Sequence, residues 1–135
     1  MRGLVILLSL GILAGSASAD SLQVRLIRAT NAPDGEDPAV RDLRPELDKK
    51  FGFRRYEVIS TRTQKLRAGQ AVRIDLGEGF VVFATGRPGQ PPRADIEWYA
   101  GKVSLVKAQG VQGRVLIKGP AVGAEWIILA LTLRD

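Results

Sequence analysis

The chain contains no cysteine and no histidine. Zinc, copper, haem and iron–sulfur centres thereby lose their usual ligands, and Ser-His and Cys-His catalysis are excluded. No disulfide can brace the fold, so stability must come from burial and backbone pairing. Aromatic residues are scarce, at 6% of the chain, so each one must be accounted for as core or as surface. The N-terminal apolar run, Leu4 to Leu13, is too short to cross roughly 30 Å of hydrocarbon.

That run instead reads as part of a leader. Arg2 precedes it, and the small residues Ala17-Ser18-Ala19 close it before Asp20. This is the arrangement of a secretory signal peptide with an A-x-A cleavage site, which predicts a leader over 1–19 and a mature domain over 20–135. With no cysteine after the cut to carry a lipid, the product is expected in the periplasm or the medium, with no membrane span after cleavage. The mature segment suits one domain with a single core. The formal charge of +6 drops by one when Arg2 leaves with the leader. A dispersed excess of this size serves solubility, and it would also attract anionic envelope polymers.

Apolar residues alternate at Leu22, Val24 and Leu26, the period of a half-buried strand. A turn-rich loop then leads to Asp37-Pro38, a cap residue followed by a residue suited to the first helical position. Val40, Leu43, Leu47 and Phe51 form one helical face, so a helix is expected at about 37–51, with Gly52 as its stop. Pro45 inside it predicts a kink or two short helices. Downstream the period is two: Tyr56 and Val58 share a face and Ile59 breaks the pattern. Further strands are expected at 71–76, 80–85, 93–99, 103–108, 114–118 and 125–133, with glycines beside or between them. The fold class expected is mainly β, an antiparallel sandwich or partly open barrel of about seven to eight strands with one short N-terminal helix.

Lys49-Lys50-Phe51-Gly52-Phe53-Arg54-Arg55-Tyr56 can be aligned with the RNP1 strand of RNA-recognition motifs, whose aromatics stack on bases. Lys50 stands where that pattern has Gly and Arg54 where it has an apolar residue, so no nucleic-acid partner is expected. Four cations near a helix C-terminus remain. Lys49, Lys50, Arg54 and Arg55 are therefore the candidate anion-binding residues, although helix-dipole complementarity explains the two lysines without a ligand. Ser104-Leu105-Val106-Lys107 fits the S-x-x-K nucleophile motif, but in a regular strand its Ser and Lys face opposite ways.

Asp34, Glu36 and Asp37 lack the spacing of a calcium loop and suit turn and cap roles. The pairs Asp75 with Glu78 and Asp95 with Glu97 leave a two-carboxylate hydrolase formally open, yet a solvated strand face explains Asp95 and Glu97 equally. No catalytic residue, metal site or cofactor is assigned. Trp98 follows the inward alternation of Ala94 and Ile96. Tyr99 should face outward and is the candidate glycan contact. Trp126 introduces Ile127-Ile128-Leu129-Ala130-Leu131, the pattern of a central strand buried on both sides.

Several segments together resemble small exported bacterial proteins of unknown function. They are the leucine-spaced Leu43-Arg44-Pro45-Glu46-Leu47, Phe53-Arg54-Arg55-Tyr56 at a strand start, Leu66-Arg67-Ala68-Gly69, and a glycine-bounded turn, Gly119 to Gly123, before the apolar strand. The resemblance implies export and carries no activity and no site. The function expected is that of a non-enzymatic interaction or accessory domain of the cell envelope with a protein partner. The alternative is a module binding an anionic envelope polysaccharide or glycan.

Overall fold

In the computed structural model the described residues are 20–33 and 35–135; the expected leader over 1–19, and Asp34, lie outside them. The alternating and continuous apolar segments form eight strands: β1 (Asp20–Thr30), β2 (Arg55–Leu66), β3 (Ala71–Gly77), β4 (Phe80–Arg87), β5 (Arg93–Ala100), β6 (Val103–Val111), β7 (Arg114–Val122) and β8 (Glu125–Arg134). They make two separate antiparallel sheets, β2-β1-β8-β7 and β3-β4-β5-β6. The architecture is thus a sandwich and not a closed barrel. Among the described residues no helix is long and apolar enough to cross a membrane.

Period-two alternation explains how β1 serves two layers at once. Leu22, Val24 and Leu26 point into the space between the sheets, against Ile74, Val82, Ile96 and Trp98. Ile27 and Ala29 point to the other side, where Val40, Leu43 and Leu47 cover them. β8 does the same: Ile127, Leu129 and Leu131 enter the inter-sheet core, whereas Ile128 and Ala130 lie beneath the helical segment. Burial on both faces is why its sequence reads as a continuous apolar run.

The helical segment is two short pieces, as Pro45 demands. A 3₁₀ turn spans Pro38–Val40, and Asp37 caps it by accepting from the Ala39 N–H at 3.0 Å. Helix α1 runs Arg44–Lys50 with Pro45 in its first turn, where the missing N–H costs nothing. Gly52 follows with φ of 75°, the left-handed conformation that ends many helices. Two fixtures hold this layer to the first sheet. Arg25, 7% exposed, projects from β1 and donates to both carboxylate oxygens of Asp42, at 2.9 and 3.1 Å. The Tyr56 hydroxyl donates to the Leu47 carbonyl at 3.1 Å and accepts from the Phe53 N–H at 3.0 Å.

Removing that hydroxyl takes the acceptor of the Phe53 N–H away, while the Leu47 carbonyl keeps its helical bond from the Phe51 N–H at 2.9 Å. Tyr56→Phe is expected to lower stability by about 1–3 kcal/mol, measured by urea unfolding. The phenol pKa is raised above 10.0, chiefly by burial. The folded state therefore holds the proton more tightly than the unfolded state. This contribution is complete below pH 10.0 and is lost as pH rises through the folded value.

Irregularities in the ladders account for departures from simple alternation. Val58 pairs with Ile27 but Ser60 with Leu26, so Ile59 is the extra residue of a bulge and packs into the inter-sheet core. The turn expected over Gly119 to Gly123 is instead mostly strand. β7 continues through Val122 beyond a register shift between Lys118 and Ala121, and the reversal itself falls at Gly123 and Ala124. The four outer strands, β2, β3, β6 and β7, each carry a register irregularity, and β7 also bears Pro120. Such features discourage another strand from adding to an edge.

Candidate functional site

The two outer faces of the sandwich differ in kind. The outer face of the first sheet lies under the helical segment at Ile27, Ala29, Ile128 and Ala130 and stays open at its other end, where Ser21, Gln23, Thr63 and Thr132 line a small polar depression of about 190 Å³. No element among the described residues covers the outer face of the second. On that open face the register aligns three rows across the strands. The first row is Asp75, Val81, Tyr99 and Ser104; the second is Arg73, Phe83, Glu97 and Lys107. The third runs Ala71, Thr85 and Asp95, and Gln109 lies beside it in the groove. A shallow groove of about 370 Å³ opens over the second and third rows.

Phe83 is the aromatic of the groove's lining, and Tyr99, in the adjoining row beyond the groove, holds its ring 5.7 Å from that of Phe83, edge to face at 90°. The Tyr99 hydroxyl donates to Glu97 Oε1 at 3.3 Å, and Lys107 Nζ lies 4.0 Å from Glu97 Oε2. Asp95 Oδ1 accepts from the Gly110 N–H at 2.9 Å and sits 3.1 Å from Arg87 Nε. Asp95 thereby braces the irregular end of β6, and Glu97 orients both a phenol and an ammonium. Each carboxylate of this pair has a positioning role.

Tyr99 faces outward as its place beside Trp98 predicts. Trp98 is fully buried, 6.0 Å from Phe80 between the sheets, and its Nε1 has no hydrogen-bond partner among the described residues. Ser104 and Lys107 depart from the alternation argument. A register shift between Trp98 and Tyr99 sets Ser104 opposite Tyr99 and Lys107 opposite Glu97, so both belong to the open face. The Lys107 ammonium is engaged with Glu97 and not aimed at activating Ser104. Asp75 and Glu78 part: Asp75 accepts from the Gly77 N–H at 2.9 Å, whereas Glu78 lies 3.9 Å from Arg28.

Arg28 is ringed by carboxylates at one end of the sandwich, Glu57 at 3.2 Å, Glu125 at 2.9 Å and Glu78. The Arg28 Nε–H is not aimed at the nearby Glu125 oxygen, so that contact is Coulombic and not a hydrogen bond. Among the described residues no group of three or more acidic, histidine or cysteine side chains is arranged to hold a metal ion.

The basic run separates in space. Lys49 and Lys50 lie on the last turn of α1, where they line a groove of about 510 Å³ with Glu46, Arg114 and the β7 backbone at Leu116. Lys50 Nζ donates to the Leu116 carbonyl at 3.3 Å. Arg114 is already held by Glu46 at 2.6 Å and by Asp42 at 3.7 Å. Arg54 belongs to another depression of about 380 Å³, with Arg44, Glu36 and Gly35, and the Arg55 guanidinium lies against Gly35. Phe51 closes α1 and Phe53 is in the loop before β2, 6.2 Å from Tyr56 and under the Lys118 ammonium at 5.7 Å. The strand aromatics of an RNP1 surface are therefore not formed.

Phe83 and Gln109 were not evident as site residues. Phe83 ends the run Phe80-Val81-Val82-Phe83, in which nothing alternates to reveal a face. Gln109 depends on the irregular end of β6, where Gly110 at φ of 65° marks the register shift but does not tell which face Gln109 takes. Comparison of the chain with protein-family models, with curated proteins and with solved structures finds no match.

Proposed function

We propose that the protein is an exported, non-enzymatic binding domain of the cell envelope, and that the open face of the β3–β6 sheet is its working surface. The observation that carries this reading is the contrast between the two outer faces. One sheet is partly roofed by a helical segment and its open end offers only a small depression without aromatics, while the other leaves Phe83 and a set of hydrogen-bonding side chains around a larger groove with Tyr99 beside it. A concave site with an aromatic side chain in its lining, a second aromatic beside it and a few placed polar groups has the usual form of a ligand surface. The bulged outer strands favour binding through a face over binding by strand addition.

The leader-like segment supports export. The absence of histidine and cysteine, together with the positioning roles of Asp95 and Glu97, supports binding without turnover. An anionic polymer held by Lys49, Lys50, Arg54 and Arg55 is the less favoured reading, because the run divides between two depressions that each contain a carboxylate.

The test is retention of envelope material by the immobilised mature domain and by its Tyr99→Ala and Phe83→Ala variants. Both substitutions lie on the outward face, so each variant should keep the far-ultraviolet dichroism of the parent. Retention should fall at least about tenfold in each, roughly 1.4 kcal/mol of binding free energy. Undiminished retention by both would remove the open face from consideration, and a loss confined to a Lys49→Ala, Lys50→Ala double variant would favour the basic groove.

A further inference from the structure

We propose that the occupant of the open face is an uncharged sugar chain, an inference that rests on that face being the binding surface. The first argument is charge. Glu97 has Lys107 at 4.0 Å, Asp95 has Arg87 at 3.1 Å, and Arg73 has Asp75 at 4.0 Å. Charges compensated pairwise leave little field to draw in a polyanion or a polycation. The depressions at α1, by contrast, are each lined by more cations than carboxylates.

The second argument is hydrogen-bonding capacity. The groove offers the Thr85 hydroxyl, the Gln109 amide, the Asp95 and Glu97 carboxylates and the Lys107 ammonium within one lining. This set mixes acceptors, donors and groups that do both, which matches sugar hydroxyls that each donate and accept. Carboxylates already held in place by Tyr99 and Gly110 present their remaining lone pairs without reorganisation.

The third argument is the aromatic pair. A T-shaped pair turns the face of only one ring toward its partner, and an exposed ring face is electron-rich, suited to the polarised C–H groups of a pyranose. From the Ala71 row to the Asp75 row is four residues along the strand, about 14 Å at the rise of a β-strand, which gives a short oligosaccharide room to lie along the sheet. A protein partner fits less well. Interface cores are depleted in charged residues, whereas Glu97 and Lys107 complete the row that begins at Arg73 and Phe83.

The experiment is calorimetric titration of the mature domain with cellohexaose and chitohexaose as neutral probes and hexagalacturonate as an anionic one, each at low and high salt. A neutral hexasaccharide should bind, its affinity should change less than about twofold with salt, and Tyr99→Ala should weaken it at least about tenfold. Preference for hexagalacturonate with loss at high salt would overturn the inference. So would failure of both neutral probes. If those probes fail while the domain retains an envelope protein in a Tyr99-dependent way, the open face stands as the binding surface and only the sugar assignment falls. Retention indifferent to Tyr99 and Phe83 would remove the face itself.

Discussion

Gly119→Ala is expected to destabilise the protein by about 1–3 kcal/mol, toward the upper end of that range. A methyl group at position 119 would stand 2.7 Å from Cζ3 of Trp98, closer still to its Cη2, and 3.2 Å from the Ile127 carbonyl oxygen. The indole cannot yield easily, since Trp98 is fully buried and packed on every side. The carbonyl belongs to β8, the strand buried on both faces. The cost is therefore steric, and it differs from the usual glycine argument about backbone freedom.

A paired variant separates these causes. Trp98→Phe shortens the ring that meets the new methyl and removes the indole N–H that lacks a partner among the described residues. If the clash is with Trp98, the two substitutions should couple favourably by about 0.5–3 kcal/mol in a double-mutant cycle followed by urea unfolding. Simple additivity would mean that Gly119 is needed for the β7 bulge itself and not for the ring.

Asp42→Ala should cost about 1–3 kcal/mol, because it leaves the buried Arg25 guanidinium with the Ala39 carbonyl, 3.2 Å away, as its hydrogen-bond partner within the helical layer. The figure lies below that for a fully buried ion pair because the Asp42 side chain is 51% exposed. Arg25→Met with Asp42→Ala should recover most of the loss, since two apolar replacements leave no charge stranded. Thermal unfolding of the single and double variants checks this, and a double variant no more stable than Asp42→Ala would contradict it.

The same pair predicts an acid response. The Asp42 pKa is lowered from its ordinary 3.8, first by its hydrogen bond with Arg25, against an opposing effect of burial. A depressed folded-state value means the stabilisation is present above pH 3.8 and lost as pH falls through the folded pKa. Below pH 3.8 the parent should therefore lose its stability advantage over Asp42→Asn. Solvent screening of the half-exposed carboxylate keeps the advantage small.

How much of this was legible depends on which elements carried a clean period. β1 was readable because Leu22, Val24 and Leu26 alternate with polar residues, and β8 because its apolar run is too long and too uniform for a one-sided strand. The split of the helical segment was readable from Pro45, whose ring chemistry permits the first turn and little else. Tyr99 could be placed outward because Trp98 beside it could be placed inward. Phe83 could not, since a run of four apolar residues gives no phase, and the pairing partner that sets the phase is on another strand. The S-x-x-K face was misjudged for a related reason, because a bulge inserts one residue without altering the local composition.

By its sequence alone this protein was determined to be a β-rich domain with an amphipathic helical segment and without the residue types of most metal and nucleophilic chemistry. Those properties follow from local periodicity and from composition, which act within a few residues or on the chain as a whole. Only the tertiary structure decided which sheet face is roofed and which is open, how the basic run divides, and that Phe83, Glu97 and Lys107 share a row with Tyr99 beside it. Each of these depends on strand order and register, set by pairings between residues far apart in the chain, where a shift of one position moves a side chain to the opposite face.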